Sequence, residues 1–153
     1  MVLHESGDVT TAPLRGEDRP VPEPGPGEVR IRVHVCAVCR TDIHVVEEDL
    51  PPAARPVVPG HQVVGTVDRV GDGANVALLG RRVGVAWVRG TCGSCRFCTT
   101  SRENLCETPV FGGYHVDGGY AEYVTAPSAW VYEIPEGFGD EEAAPPGSGR
   151  RRR

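Results

Sequence analysis

Hydrophobic and polar side chains alternate most clearly over residues 28–38, which read EVRIRVHVCAV. Val29, Ile31, Val33 and Val35 form the apolar set of this segment. Because successive side chains of a strand point to opposite faces of a sheet, this period of two predicts a half-buried β-strand. The following RTDIHVVEE segment loses the alternation and predicts a short helical turn that ends before the next prolines.

Four further segments predict strands, because each is short, apolar and bounded by Gly, Pro or Asp. They are QVVGTVDRVG at 62–71, RRVGVAWV at 81–88, YAEYVTAP at 120–127 and AWVYEIP at 129–135. The opening segment up to about Gly27 is polar, contains PVPEPGPGE and predicts a loop. Short strands at irregular spacing with glycine corners favour a small, partly open barrel.

Composition supports a mainly β fold of a single domain. The 153 residues include 20 Gly and 14 Pro, and only 6% are aromatic, which favours strands and turns over long helices. A chain of this length can bury one ordinary hydrophobic core, and a second full domain does not fit.

The charge pattern excludes some classes of function. A net charge of -5 argues against a nucleic-acid surface, and the only basic run, residues 150–153, predicts a solvated tail. No apolar stretch reaches the roughly 20 residues of a membrane span, and the N-terminus lacks an apolar signal core. These features predict a soluble, cytoplasmic protein without membrane contacts. Its six cysteines should then stay reduced and available to a metal.

The segment TCGSCRFCTTSRENLC carries a Cys-x2-Cys-x2-Cys-x7-Cys pattern. Its four cysteines are Cys92, Cys95, Cys98 and Cys106. Four thiolates can surround a tetrahedral Zn²⁺ and leave no open position for a substrate, so the pattern predicts a structural zinc lobe. Similar spacing also occurs in iron-sulfur proteins and zinc ribbons, and these remain alternatives for the cysteines taken alone.

A second set of potential ligands lies upstream, in VCAVCRTDIH and PGHQVVG. A lone histidine is usually an ordinary surface or core residue. The order of these two motifs, then GVAW, the four-cysteine lobe and GGYAEYV, resembles the zinc-dependent medium-chain alcohol dehydrogenases over residues 25 to 145. The resemblance implies a GroES-like, partly open β-barrel with short helices, and a Rossmann partner domain that binds NAD or NADP.

Site residues follow from this resemblance, position by position. Cys39 and His61 resemble two ligands of a catalytic zinc, which acts as a Lewis acid on an alcohol oxygen. Thr41 matches the hydroxyl that passes the alcohol proton inward, and His44 matches the residue that delivers it to solvent. Asp42 resembles the carboxylate that orients the zinc histidine.

Two more residues match the family at positions where the residue type is less specific to one role. Arg40 stands where the family often has a basic residue for the cofactor pyrophosphate, although a solvated charge is the competing interpretation. Trp87 resembles a wall of the substrate pocket, although it could be an ordinary core aromatic. The resemblance implies that the substrates are small alcohols and aldehydes, and it allows the protein to form a homo-oligomer. Cys36 precedes Cys39 by one Cys-x2-Cys step, but we expect a buried strand residue rather than a redox partner.

The sequence departs from the family pattern at three points. Gln62 replaces the usual Glu after the zinc histidine, no cysteine follows Cys106 to supply a third catalytic ligand, and no Gly-x-Gly-x-x-Gly loop follows a strand. We therefore expect a fragment of an alcohol dehydrogenase with little or no turnover by itself. A non-catalytic, zinc-stabilised binding module is the alternative.

The expected organisation has three parts. Residues 1–24 form a loop or strand lead-in, residues 25–145 form the GroES-like domain with its zinc lobe at 91–106, and residues 146–153 form a disordered, Arg-rich tail.

Overall fold

The computed structural model describes residues 1–51 and 53–144, which are mainly β-structure. The strands are β1 (Val2–Leu3), β2 (Leu14–Arg15), β3 (Glu28–Ala37), β4 (Gln62–Val70), β5 (Arg82–Val85), β6 (Val88–Gly90), β7 (Val110–Phe111), β8 (Tyr123–Pro127) and β9 (Val131–Glu133). The α-helices are α1 (Arg40–Glu47) and α2 (Asp140–Ala143). Single 3₁₀ turns cover Val9–Thr11, Val76–Leu78, Cys98–Thr100, Glu103–Leu105 and Ser128–Trp130.

A five-stranded antiparallel sheet forms the body of the domain, in the order β8-β3-β4-β5-β9. The pairing of β3 with β4 shifts register between Arg30 and Ile31 and again between Val33 and Val35. Such irregularities increase local twist and bend a strand, which curls the sheet into a half-barrel. The predicted mainly β, partly open barrel is confirmed.

The main core lies on the concave face of this sheet. Val29 and Ile31 of β3 are fully buried, as their alternation predicts, and they pack with Val67, Val83 and Val124 of neighbouring strands. Burying a Val or Ile side chain stabilises a fold by about 1.5–3 kcal/mol, so this cluster supplies much of the driving force for folding.

The opening segment contains more structure than the predicted loop. β1 pairs with β2, and Leu3 also exchanges backbone hydrogen bonds with Val57 at 2.8 and 3.0 Å. Leu3 is fully buried against Val45 and Tyr114 in a second core. A two-residue strand has no periodicity, so its partners in space, rather than its sequence, define it.

The predicted strand at 81–88 is two strands with different partners. β5 belongs to the main sheet, whereas β6 leaves that sheet and pairs with β7. The cysteine-rich loop connects the two strands of this β6-β7 ribbon. Its large apolar side chains, Phe97 and Leu105, are not fully buried, so the predicted lobe has little apolar core of its own.

Helix α2 closes one end of the described chain against the outer side of the sheet. Ala143 and Ala144 are buried beside Val64, and Asp140 accepts from the Arg82 guanidinium at 3.1 Å and lies 2.8 Å from His34 Nδ1. In the described parts of the chain, no helix combines the length and apolarity that crossing a bilayer requires. The tail predicted at 146–153 lies outside the described residues.

Candidate metal centres and active site

The four cysteines of the lobe converge on one point. Their Sγ atoms all lie within 4.8 Å of one another. Cys92 and Cys95 lie in the loop after β6, whereas Cys98 begins one 3₁₀ turn and Cys106 follows another. The separations are 3.9 Å between Cys92 and Cys98, 3.5 Å between Cys95 and Cys98, and 3.6 Å between Cys92 and Cys106. Zinc–sulfur bonds of about 2.3 Å in a tetrahedron require sulfur separations of about 3.8 Å. The geometry therefore fits a tetrahedral metal ion.

Backbone amides around the lobe favour the thiolate form of two cysteines. The pKa of Cys92 is lowered to about 5, first because the N–H groups of Ser94 and Cys95 donate to its sulfur. The pKa of Cys95 is lowered chiefly by the N–H of Cys98. The pKa of Cys98 is raised to about 11, first by burial and then by its thiol neighbours. Without a cation, adjacent thiolates repel one another, and a metal ion would remove this conflict.

The sheet register explains how Cys39 and His61 come together. β3 ends at Ala37, which lies opposite Gln62 at the start of β4. Cys39 stands just beyond the end of β3, and His61 stands just before the start of β4. Both therefore lie at the same edge of the barrel, although they are far apart in the chain.

Asp42 joins these two residues through its buried carboxylate. One oxygen lies 3.0 Å from His61 Nδ1, and the other accepts from the Cys39 backbone N–H at 2.8 Å. The Asp42 and His61 side chains are only 5% and 2% exposed, so water does not compete for these bonds. The carboxylate occupies the Nδ1 position of His61, so Nε2 is the ring nitrogen that remains for another partner.

The other polar residues predicted on α1 take different positions. Thr41 lies beside Cys39, with 3.8 Å between its Oγ1 and the cysteine sulfur. His44 is one turn further along, and its Nδ1 lies 2.7 Å from the exposed Asp49 carboxylate. Arg40 is exposed at the first position of the helix. The helix thus places Thr41 beside the half-buried Cys39 and His44 next to an exposed carboxylate.

Trp87 contacts His61 directly. Its ring meets the imidazole edge-on, with centroids 4.9 Å apart, and stacks on Phe111 at 4.6 Å and Tyr114 at 6.0 Å. Phe111 and Tyr114 were not among the predicted site residues. A signal was present, since FGGYHVDGGY places aromatic residues beside glycine pairs, but their proximity to His61 depends on the β6-β7 ribbon.

Cys36 lies in strand β3, as expected, but it is half-buried rather than buried. All six cysteines are free, and burial raises the pKa of the Cys36 thiol to about 12. Redox-active cysteines have lowered pKa values, so this environment suits a packing residue.

The described residues do not complete a second metal site. Within 1–51 and 53–144, the four cysteines of the lobe are the only group of three or more side chains that could hold a metal ion. Cys39 and His61 supply two potential ligands at the barrel edge. Gln62 is buried beside them in β4.

Gly60 fixes the loop that presents His61. Its φ is +95°, and a Cβ there would lie 2.6 Å from the Tyr120 ring and 2.9 Å from Cys36 Sγ. We expect Gly60→Ala to lower the free energy of unfolding by about 2–5 kcal/mol, because left-handed strain costs about 1–2 kcal/mol and overpacking about 1–3 kcal/mol. Urea denaturation measures this loss.

Gly73→Ala is the matched control for this substitution. Gly73 has a similar φ of +71°, but nothing lies within 4 Å of its Cβ position. The control should lose only about 1–2 kcal/mol from backbone strain. Equal losses in the two variants would contradict the close packing around Gly60.

Comparison with known proteins assigns the family. Residues 25–136 match the family described as the alcohol dehydrogenase GroES-like domain. A curated protein of Mycobacterium tuberculosis, described as probable alcohol dehydrogenase AdhA, is 46% identical over 148 residues, which cover 94% of this chain and 43% of that protein.

Solved structures agree with this assignment. A crystal structure of an NAD-dependent alcohol dehydrogenase matches with a TM-score of 0.85 and 36% identity, over 94% of this chain and 41% of that chain. A thermostable alcohol dehydrogenase from Pyrobaculum aerophilum, with cobalt and zinc bound, matches with a TM-score of 0.84 and 31% identity, over 95% of this chain and 43% of that chain. The chain thus spans about two fifths of the length of these relatives. It belongs to the zinc-dependent alcohol dehydrogenase family, within which it corresponds to the GroES-like catalytic domain.

Proposed function

We propose that this chain supplies the zinc-binding catalytic domain of an enzyme that oxidises a small alcohol to an aldehyde or ketone with hydride transfer to NAD or NADP. The observation that carries the proposal is the convergence of Cys39, Asp42 and His61 at one edge of the barrel. A sulfur ligand and an imidazole backed by a buried carboxylate match two of the three protein ligands that a catalytic zinc site usually has.

The lobe holds a structural zinc in this proposal. The sulfur separations fit one tetrahedral ion, and four thiolates leave no position for a substrate. The lobe connects the strands of the β6-β7 ribbon and has little apolar core, so the metal supplies the cross-links that order it.

Cys39 Sγ and His61 Nε2 hold the catalytic zinc, which supplies a Lewis acid that lowers the pKa of an alcohol. Asp42 fixes the tautomer and the orientation of His61 by accepting from Nδ1. Trp87 excludes water from the same edge and forms a wall against which the apolar part of an alcohol packs.

Thr41 and His44 carry the alcohol proton away from the site. The Thr41 hydroxyl lies next to the Cys39 sulfur, and His44 lies one helical turn further towards solvent. The Asp49 carboxylate at His44 Nδ1 leaves Nε2 to accept the proton. Arg40, exposed at the start of the same helix, contacts the cofactor pyrophosphate.

We expect the 153-residue polypeptide by itself to show no alcohol oxidation, because its sequence holds neither a third catalytic ligand after Cys106 nor a dinucleotide-binding loop. The measurement is ethanol oxidation with NAD⁺, followed by NADH absorbance, on protein of known zinc content. Turnover near an ordinary enzymatic rate of about 10 per second would contradict this expectation. Translation of the gene beyond the Ala144 codon shows whether an apolar cysteine-containing helix and a glycine-rich loop follow.

A non-catalytic, zinc-stabilised module is the second candidate, and it is favoured by the single complete ligand group among the described residues. Zinc content separates the two. One tightly bound zinc per chain fits either candidate, whereas a second ion that is lost in Cys39→Ser supports the catalytic site.

A further inference from the structure

The loop that ends at His61 is buried, although it contains no helix or strand. It covers residues 58–61, between Val57, which pairs with Leu3, and the first residue of β4. Backbone N–H and C=O groups inside a protein must be paired, and a loop cannot pair them within itself as a helix does. The partners of the 58–61 loop therefore decide how firmly the backbone of His61 is held.

One short segment, residues 117–120, supplies backbone partners for this loop. Three consecutive N–H groups of the segment donate to three consecutive carbonyls of the loop. These bonds run from Gly118 to Val58 at 2.7 Å, from Gly119 to Gly60 at 2.8 Å and from Tyr120 to Pro59 at 3.0 Å.

The two backbones lie in direct contact. A Cβ on Gly118 would lie 2.0 Å from the Gly60 carbonyl oxygen and 2.8 Å from the Pro59 carbonyl oxygen. Only a glycine permits this approach, and it leaves no space between the 117–120 segment and the 58–61 loop. A displacement of the segment would consequently move the loop as well.

Asp117 adds a side-chain bond to these backbone bonds. Its Oδ1 accepts from the Val58 N–H at 2.9 Å, while the next residue, Gly118, donates to the Val58 carbonyl. Both backbone polar groups of the buried Val58 are thus bound by adjacent residues of one segment. The other Asp117 oxygen lies 3.2 Å from the Arg19 guanidinium, in a pair whose side chains are 50% and 43% exposed. Exposed pairs of this kind contribute little to stability.

We propose that Asp117 is a positioning residue, which holds the 58–61 loop through the Val58 N–H and so fixes the backbone of His61. The His61 ring is held separately, by the Asp42 carboxylate at Nδ1 and by the edge of Trp87. The consequence for metal binding rests on the proposed function, in which His61 is a zinc ligand. The clamp between Asp117 and the loop does not.

The first test measures the clamp without any metal at the Cys39–His61 site. In protein with zinc in the lobe, the Val58 amide should exchange its hydrogen about 5–10-fold faster in Asp117→Ala, because its N–H loses its acceptor. The Tm should fall by about 2–4 °C, and the NMR signals of the His61 ring should shift.

Asp117→Asn tests which property of the side chain matters. An amide retains a carbonyl oxygen that can accept from the Val58 N–H, but it loses the charge that faces Arg19. This variant should therefore restore wild-type exchange at Val58 and wild-type His61 signals. Arg19→Gln, which removes only the exposed ion pair, should also behave as wild type. If Asp117→Asn behaved like Asp117→Ala, the charge rather than the acceptor would be responsible, and the proposal would be overturned.

The second test measures metal binding at the Cys39–His61 site. Protein with zinc in the lobe is titrated with Co²⁺, and the visible absorption band of this site is followed. Substitutions directly behind a metal ligand reduce affinity by about 10–100-fold, and Asp117 acts through three residues of backbone. We therefore expect a loss of about 3–10-fold in Asp117→Ala and wild-type affinity in Asp117→Asn.

Asn75→Ala is the matched control for a purely structural effect. The exposed Asn75 side chain also accepts from a backbone N–H, that of Ala77 at 3.1 Å, at the Val76–Leu78 turn. This variant should lose a similar 2–4 °C of Tm, because one bond of the same type is removed, but it should leave the His61 signals and the affinity for Co²⁺ unchanged. Equal losses of affinity in Asn75→Ala and Asp117→Ala would show that general stability, rather than the 58–61 loop, governs metal binding.

Failure of this inference is distinguishable from failure of the proposed function. If the wild-type protein binds no Co²⁺ at this edge, the proposed catalytic metal site is wrong, while Val58 exchange and the His61 signals still decide whether Asp117 positions the loop. If Co²⁺ binds and Asp117→Ala leaves its affinity unchanged, the metal site stands and the positioning role of Asp117 is refuted.

Discussion

Cys92→Ser is expected to release the zinc of the lobe and to unfold the loop between β6 and β7. Cys92 Sγ lies 3.6 Å from the sulfur of Cys106 and 3.9 Å from the sulfur of Cys98. The first cysteine of the loop therefore contacts a ligand from the middle of the loop and the ligand at its far end. Structural zinc contributes about 10–16 kcal/mol to the folding of small zinc peptides, and the lobe has no apolar core that could replace it. Serine is a poor zinc ligand, and three thiolates do not close the tetrahedron.

Zinc analysis and limited trypsin digestion measure this effect. The wild-type protein should retain about one zinc per chain after dialysis, and Cys92→Ser should retain almost none. Arg96 and Arg102 are exposed within the lobe and should become trypsin sites once it unfolds. Asn104→Ala, an exposed position of the same lobe, is the matched control and should keep both zinc and protease resistance. Full zinc retention in Cys92→Ser would contradict the proposed ligand set.

Asp42→Asn is expected to destabilise the barrel and to weaken metal binding at the proposed Cys39–His61 site. The carboxylate accepts from both Cys39 and His61 in a buried setting, whereas an amide offers one acceptor oxygen and turns a donor towards one of the two N–H groups. Hydrogen bonds to buried charged groups are each worth about 1.5–3 kcal/mol, so we expect the free energy of unfolding to fall by about 3 kcal/mol. Affinity for Co²⁺ at Cys39 and His61 should fall about 10–100-fold.

Asp49→Asn provides the comparison, because it removes a carboxylate from a similar pair at the surface. Asp49 lies 2.7 Å from His44 Nδ1, but its side chain is 53% exposed. Solvent-exposed pairs contribute at most about 1 kcal/mol, so urea denaturation should show little change. If both variants lose the same stability, burial does not strengthen the Asp42–His61 bond as we argue.

Much of the fold followed from local patterns in the sequence. The alternation from Val29 to Val35 predicted β3 because a strand with one buried face must repeat every two residues. The spacing of the lobe cysteines predicted a four-thiolate site because short loops can direct several sulfurs to one point. Both signals lie within single stretches of chain and need no knowledge of distant partners.

Local sequence patterns alone did not predict the candidate active site. Cys39, Asp42 and His61 were selected through a family resemblance, and their residue types suit the chemistry. Their proximity follows from the antiparallel register that places Ala37 opposite Gln62. The pattern of residues within one strand does not state which residue of the other strand lies opposite, so this register is defined only when the two strands pair.

The sequence by itself thus determined the mainly β class, the main-sheet strands and the cysteine ligand group, since each of these depends on neighbours in the chain. Only the tertiary structure decided that Leu3 completes a second core, that Trp87 packs against His61, and that the Tyr120 ring packs across Gly60. These contacts join segments separated by tens of residues, and they exist only where sheet pairing and the close approach of backbone at Gly60 bring the segments together.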